Sequence, residues 1–317
     1  MIKTNKLSKI IQSSLLIATV SFGLPLNTAS ALTWQYFSQY NNIGRSTAFV
    51  DLSSKLPPQK ELVSLVINRL PYNISVLNNP TIMSYLNNDE GANVILKEPA
   101  NVTVTFLDEE AGYINSIGFF KFKASDLTTL PLSSVVDTIL FPSFDRNSLF
   151  YGEGFNLGKF AAGDAIGFTI VSNGGWPNYN QINNTVTNQN IFRTIKRFNP
   201  ETTTNPNLSP HTILFAYPEK QLLILVIEDL NRTNPSANYD KYTSDDDFND
   251  AIIGIHVEPF SAVDCRKCNP LVPPTTSTTQ YTGESGIIHW REITSPSVVS
   301  DTLEQQKALL RKQKTSQ

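Results

Sequence analysis

The chain has 317 residues, 40% hydrophobic and only 17% charged, a balance that can bury a core and that excludes disorder, coiled coil and collagen. Its 18 Phe, 11 Tyr and 19 Pro favour many short strands and turns over a helical bundle. A net charge of −3 argues against a nucleic-acid partner, because phosphate neutralisation needs an excess of clustered Lys and Arg.

Residues 1–31 read as a secretory signal peptide. Lys3, Lys6 and Lys9 precede the apolar stretch from Ile10 to Leu26, and Ala29-Ser30-Ala31 is a small-residue cleavage pattern. Cleavage before Leu32 would remove three lysines and no acid, leave 22 basic residues against 28 acidic, and leave no transmembrane segment. No Cys near that point indicates a lipid anchor. The expected location is therefore exported: periplasmic, extracellular or cell-surface.

Residues 32–100 are irregular apart from one helix signal. Pro57-Pro58 is followed by Leu62, Leu65, Val66 and Leu70 at helical spacing, and Pro71 stops the run. This segment reads as a cover on the main domain, residues 101–260. There the pattern changes to short β-type runs at Val102–Phe106, Ile117–Phe122, Ile166–Ser172, His211–Tyr217, Leu222–Ile227 and Ala251–Val257, punctuated by Gly, Asn, Asp and Pro. Without intervening amphipathic helices these runs point to a mainly β fold, an antiparallel β-sandwich of jelly-roll type with the helix-containing cover appended.

Within that domain, Gly163-Asp164 reads as a turn and His211 as a structural histidine. The Asn-rich residues 176–210 read as a long solvated excursion, in which Trp176 and Tyr179 form either a sugar-stacking platform or a cover on a core edge. From Pro259 the chain reads as linker, and residues 261–317 as linker plus a basic tail with Lys307, Arg311, Lys312 and Lys314 in a short helix. In an exported chain Cys265 and Cys268 read as a small-loop disulfide; free or intermolecular thiols, or a metal site needing two further ligands, are the other readings.

The densest chemical signal is Ile227-Glu228-Asp229-Leu230 followed, after a loop, by Ser244-Asp245-Asp246-Asp247-Phe248-Asn249-Asp250 at the start of a strand. Carboxylates gathered where two strands meet repel and raise one another's pKa unless a cation sits among them. Ca²⁺ suits the set, since it takes six to eight hard oxygen ligands. Asp245, Asp247 and Asn249 alternate with Phe248 pointing inward, and Glu228, Asp229 and Asp250 complete the candidate shell. It is not an EF-hand, because position 6 would be Asp250 instead of Gly and position 12 would be His256 instead of Glu. A solvated acidic turn with Asx caps is the alternative.

Three groups of segments resemble a known family. They are Asn101–Phe120 with its A-G-Y-I-N-S-I-G core, Gly163–Phe168 with His211–Phe215, and Glu228-Asp-Leu-Asn-Arg232 with Ser244–Ala251. Together, over roughly residues 90–260, they resemble the DUF4114 or LruC-type family of exported bacterial proteins. The resemblance implies export and a calcium site, and it implies no reaction. Two departures stand out. The lipobox Cys typical of LruC-type lipoproteins is missing, and Leu225-Val226-Ile227 stands where a Gly-Phe pair is commoner.

The functional expectation is an exported, non-enzymatic β-sandwich with a structural Ca²⁺ site and an unidentified partner. Second comes an adhesin or carbohydrate-binding module using Trp176 and Tyr179 against a cell-surface or polysaccharide ligand. Third comes a carboxylate-dependent hydrolase, which has no nucleophile elbow or second cluster in the sequence to support it.

Overall fold

The computed structural model describes residues 33–41, 45–88, 92–175, 190–238 and 241–271. The signal-like residues 1–31, Trp176, Tyr179 and the basic tail all lie outside them. Among the described residues the strands are β1 (Thr33–Tyr36), β2 (Val50–Asp51), β3 (Val94–Ile95), β4 (Ala100–Asp108), β5 (Asn115–Lys123), β6 (Val136–Phe144), β7 (Glu153–Phe160), β8 (Asp164–Val171), β9 (Ile191–Arg193), β10 (Thr212–Tyr217), β11 (Leu222–Ile227), β12 (Ala251–Glu258) and β13 (Asn269–Pro270). They form two sheets. One has the order β1-β6-β5-β8-β3, with β9 also on β8; the other has the order β13-β10-β11-β12-β4-β7-β2. Pairing is antiparallel except for β1 with β6 and β10 with β13.

The fold is mainly β, as expected, with the inner faces of the two sheets sharing one core. Val104 and Phe106 of β4, Leu225 of β11 and Ile253 of β12 meet Ile117 of β5, Phe141 of β6 and Phe168 of β8 there. Strands β10 to β12 alternate between two buried faces. Leu223, Leu225 and Ile227 face the inner core, while Leu222, Ile224 and Val226 face a second apolar cluster. Antiparallel strands more often have one wet face. Here the outer face is covered by the N-terminal segment, so the run Leu222–Ile227 carries no polar residue.

That cover is built from α1 (Gln59–Ile67) and α2 (Pro80–Leu86). Pro58 and Glu61 begin α1, which turns Leu62, Val63 and Val66 inward; Leu70 follows into the same cluster before Pro71. The Asn79 side chain caps α2 by accepting from Thr81 N and Ile82 N at 3.1 and 3.2 Å, with Pro80 at the first helical position.

All six strands expected from the sequence are present; among the described residues seven more are additional, the two longest being β6 and β7. Pro142 masked β6; it lies where the β5–β6 register shifts, a position that tolerates a residue without an N–H. Gly154 masked β7, yet a Cβ there would stand 1.9 Å from the Val104 carbonyl, so only glycine lets β7 approach β4. Two loop readings are corrected. From Asn190 the Asn-rich stretch is packed, with Phe192 and Glu201 buried. From Pro259 to Leu271 the chain stays on the sandwich: Val263 bridges Leu96, and β13 adds to the edge of β10. Removing the apolar contact of α1 tests the covering layer: Leu62→Ala should lower stability by about 2–5 kcal/mol in urea unfolding, against no change for an exposed-site control.

Candidate metal centre

The acidic residues sit where β11 ends and β12 begins. Ile227 pairs with Thr212 and with Ala251, so Glu228 is the first residue beyond the ladder on one side and Asp250 the last before it on the other. His211 fixes the Glu228 backbone from both directions. The Glu228 N–H donates to the His211 carbonyl at 2.9 Å, and the imidazole Nδ1 lies 2.9 Å from the Glu228 carbonyl. The ring is buried, stacks on Phe192 with centroids 3.8 Å apart, and places Nε2 at 3.1 Å from Glu201 Oε1. Burial tends to raise the Glu201 pKa, but His211 and the Arg232 N–H outweigh it and hold it below the usual carboxylate value. His211 is thus a structural clamp, in keeping with its reading from the sequence.

The Glu228 side chain is fully enclosed. Oε1 accepts from the Leu230 N–H at 3.3 Å, and Oε2 has no hydrogen-bond partner. Asp229, also buried, accepts from Asn115 Nδ2 at 2.7 Å and donates its backbone N–H to Asp250 Oδ2 at 2.9 Å. The loop from Ser244 to Asp250 is not the regular alternation read from the sequence. Asp246 and Phe248 both take left-handed backbone conformations, with φ of 59° at each. For a Phe this is a strained choice, of order 1–3 kcal/mol, that the surroundings must impose. They do so by burying the Phe248 ring in the cluster beneath the cover, with the Arg232 guanidinium 5.0 Å from its centroid.

Two further anchors reach the loop from the cover segment. Asn73 N–H donates to Asp247 Oδ2 at 2.8 Å, and Val76 N–H to the Asp246 carbonyl at 3.0 Å. Asp247 Oδ1 accepts the Asn249 N–H at 3.2 Å, which places the buried Asn249 beside it. Arg232 is engaged with the Asp246 carboxylate and with the carbonyls of Leu208 and Pro210, at 3.1 and 2.7 Å.

The carboxylates fall into two threes that share Glu228: Glu228, Asp229 and Asp250, and Glu228, Asp245 and Asp247. Within each, one oxygen per residue lies within 4.8 Å of the others. Burial first, and then the charges of Asp245, Asp247 and Asp229, push Glu228 well above its ordinary pKa, with Arg232 opposing. Burial, then Asp229 and Glu228, do the same to Asp250. Asp247 is pushed up to about 7, by burial first and then by Asp245. All donors are oxygen, a set that suits a hard cation such as Ca²⁺ over Zn²⁺.

A contrasting cluster lies at the same end of the sheet, where Asp108 pairs with Ile252. Arg146 meets Asp108 at 3.3 Å, Glu109 at 3.0 Å and Glu110 at 2.5 Å. Here the protein supplies its own cation. Sequence reasoning missed this cluster, and also missed Asn115, Asn73 and Arg232 as supports. Asn115 and Arg232 lay inside the quoted N-S-I-G and E-D-L-N-R segments, whereas nothing near Asn73 signals its contact. Trp176 and Tyr179 are outside the described residues, but the stem of their loop is tied here, since Asn173 N–H donates to Asn115 Oδ1 at 3.0 Å. Cys265 and Cys268 are joined as a disulfide, with Cα atoms 4.6 Å apart.

Residues 160–258 match the family model described as domain of unknown function DUF4114. The match holds every acid of both threes, and leaves Asn73 and Asn115 outside it. No curated protein and no solved structure matches the chain.

The raised Asp247 value has a definite sign. A carboxyl near 7 when folded and near ~3.9 when unfolded holds its proton more tightly in the native state. Its contribution is therefore most favourable below about pH 4 and is lost as pH rises through 7. In chelator, thermal unfolding of the wild type should show this decline between pH 5 and 8, and Asp247→Asn should flatten it.

Proposed function

We propose that this chain is an exported, non-enzymatic β-sandwich protein whose acidic end binds Ca²⁺ through Glu228, Asp229, Asp245, Asp247, Asn249 and Asp250, with the ion fixing the loop onto the sheet. The observation that carries the reading is the enclosed Glu228 carboxylate with Oε2 unpartnered, at the meeting point of two carboxylate threes. A buried anion without a counter-charge costs several kcal/mol, and a cation held among the acids removes that cost while restoring their ionised forms. Calcium is favoured over magnesium because the donors come from an irregular loop and two strand ends, which suits a large, adaptable shell better than a rigid octahedron.

Support for export comes from the Lys3-Lys6-Lys9, apolar and Ala29-Ser30-Ala31 pattern and from the C-x-x-C disulfide, which suits an oxidising compartment. Among the described residues no helix is long and apolar enough to cross a membrane. A second reading, a carbohydrate or surface-binding module, is favoured by Asn115, which bonds Asp229 with its amide and the stem of the Trp176 loop with its oxygen. Cation binding at Asp229 would then act through Asn115 on Asn173, three residues before Trp176 in the chain.

Calcium at about 100 times its dissociation constant should stabilise the chain by roughly 2.7 kcal/mol, raising Tm by several degrees over the chelated form. The increment should grow from pH 5.5 to 8 as protons leave the raised carboxyls, and Asp247→Ala should abolish it. An unchanged Tm with calcium at pH 8 contradicts the reading. For the second reading, retention on polysaccharide resins should be calcium-dependent and lost in Trp176→Ala.

A further inference from the structure

Resting on the calcium reading above, we infer that the centre takes two divalent cations per chain, bridged by the Glu228 carboxylate. Oxygens bound to one Ca²⁺ at about 2.4 Å lie at most ~4.8 Å apart, twice that bond length. Each three meets this limit on its own: Glu228, Asp229 and Asp250 form one set, and Glu228, Asp245 and Asp247 the other. The five acids thus form two groupings, each compact enough for one ion, that meet at Glu228.

Glu228 is the independent mark of the bridge. It is 0% exposed, belongs to both threes, and keeps Oε2 without a hydrogen bond while Oε1 accepts one weak N–H bond at 3.3 Å. A carboxylate has two oxygens with two lone pairs each, so one such group can ligate two ions at once. Charge points the same way. Five carboxylates, three of them buried, keep three negative charges with one divalent ion, whereas two ions leave one. Arg232 eases the Glu228 charge through space, but its one positive charge is shared with Asp246, outside both threes, and does not make up the whole difference. Each grouping also has its own support from the fold. Asn115 and the Asp229 N–H hold the first, and the Asn73 and Asn249 N–H groups hold the second.

Equilibrium dialysis of the full chain against calcium at pH 8, with folding checked by circular dichroism, counts the ions directly. Two per chain are expected. Asp250→Asn keeps an oxygen for the Asp229 N–H and should reduce the count to one; Asp245→Asn, at an exposed position, should independently do the same. One ion in the wild type, abolished by either substitution, would overturn the bridged pair and leave the single-site reading standing. No bound calcium would overturn both.

Discussion

Glu228 stands where the apolar run of β11 stops, closed off from bulk solvent, and the arginine that eases its charge is bonded to Asp246 and two carbonyls. Everything at this end of the sandwich holds that carboxylate in place instead of letting it turn to solvent. His211 grips its backbone from both sides, Phe192 and Glu201 fix His211, and the ladder from Leu222 to Ile227 positions the whole. A protein that merely tolerated the acid would have left it at the surface, since the desolvation cost of an enclosed anion exceeds that of almost any surface arrangement.

The neighbouring acids at Asp108, Glu109 and Glu110 show what the alternative looks like. Arg146 bonds all three, and the protein thereby supplies the counter-charge itself. Glu109 is still pushed up to about 7, by burial first, with Arg146 opposing. Two acidic clusters a strand apart thus differ: Arg146 bonds each of its three acids directly, whereas Arg232 acts on Glu228 only through space and bonds Asp246 instead. That difference carries the proposal that a metal ion completes the Glu228 cluster. It also explains why the Ser244–Asp250 loop accepts two left-handed residues: Phe248 is buried beneath the cover, and Asn73 and Val76 of that cover bond the loop directly.

Much of this was legible beforehand, for physical reasons that can be named. The runs at β10, β11 and β12 are short and dominated by Ile, Leu, Val and aromatic residues, so they declare themselves, as does the proline-bounded helix α1. The acids were legible because like charges at strand ends are costly and therefore conspicuous. What stayed hidden depends on pairing over long sequence distances. Gly154 looks like a breaker until β4 lies against it, Pro142 until a bulge accommodates it, and Asn73 contacts Asp247 across 174 residues. The loop at Asp245–Asn249 was read as strand-like alternation. Its two positive-φ residues follow from tertiary anchoring, which no local pattern in Asp or Phe reveals.

The central claim is that a cation completes the enclosed Glu228 cluster. It is tested most directly by a crystal structure grown with calcium, with anomalous differences collected at long wavelength. A bound centre places anomalous density beside Glu228 Oε2, within about 2.3–2.6 Å of carboxylate oxygens from Glu228 and its neighbours. A map with no anomalous peak there, and with the carboxylates instead paired through shared protons or ordered water, would contradict it.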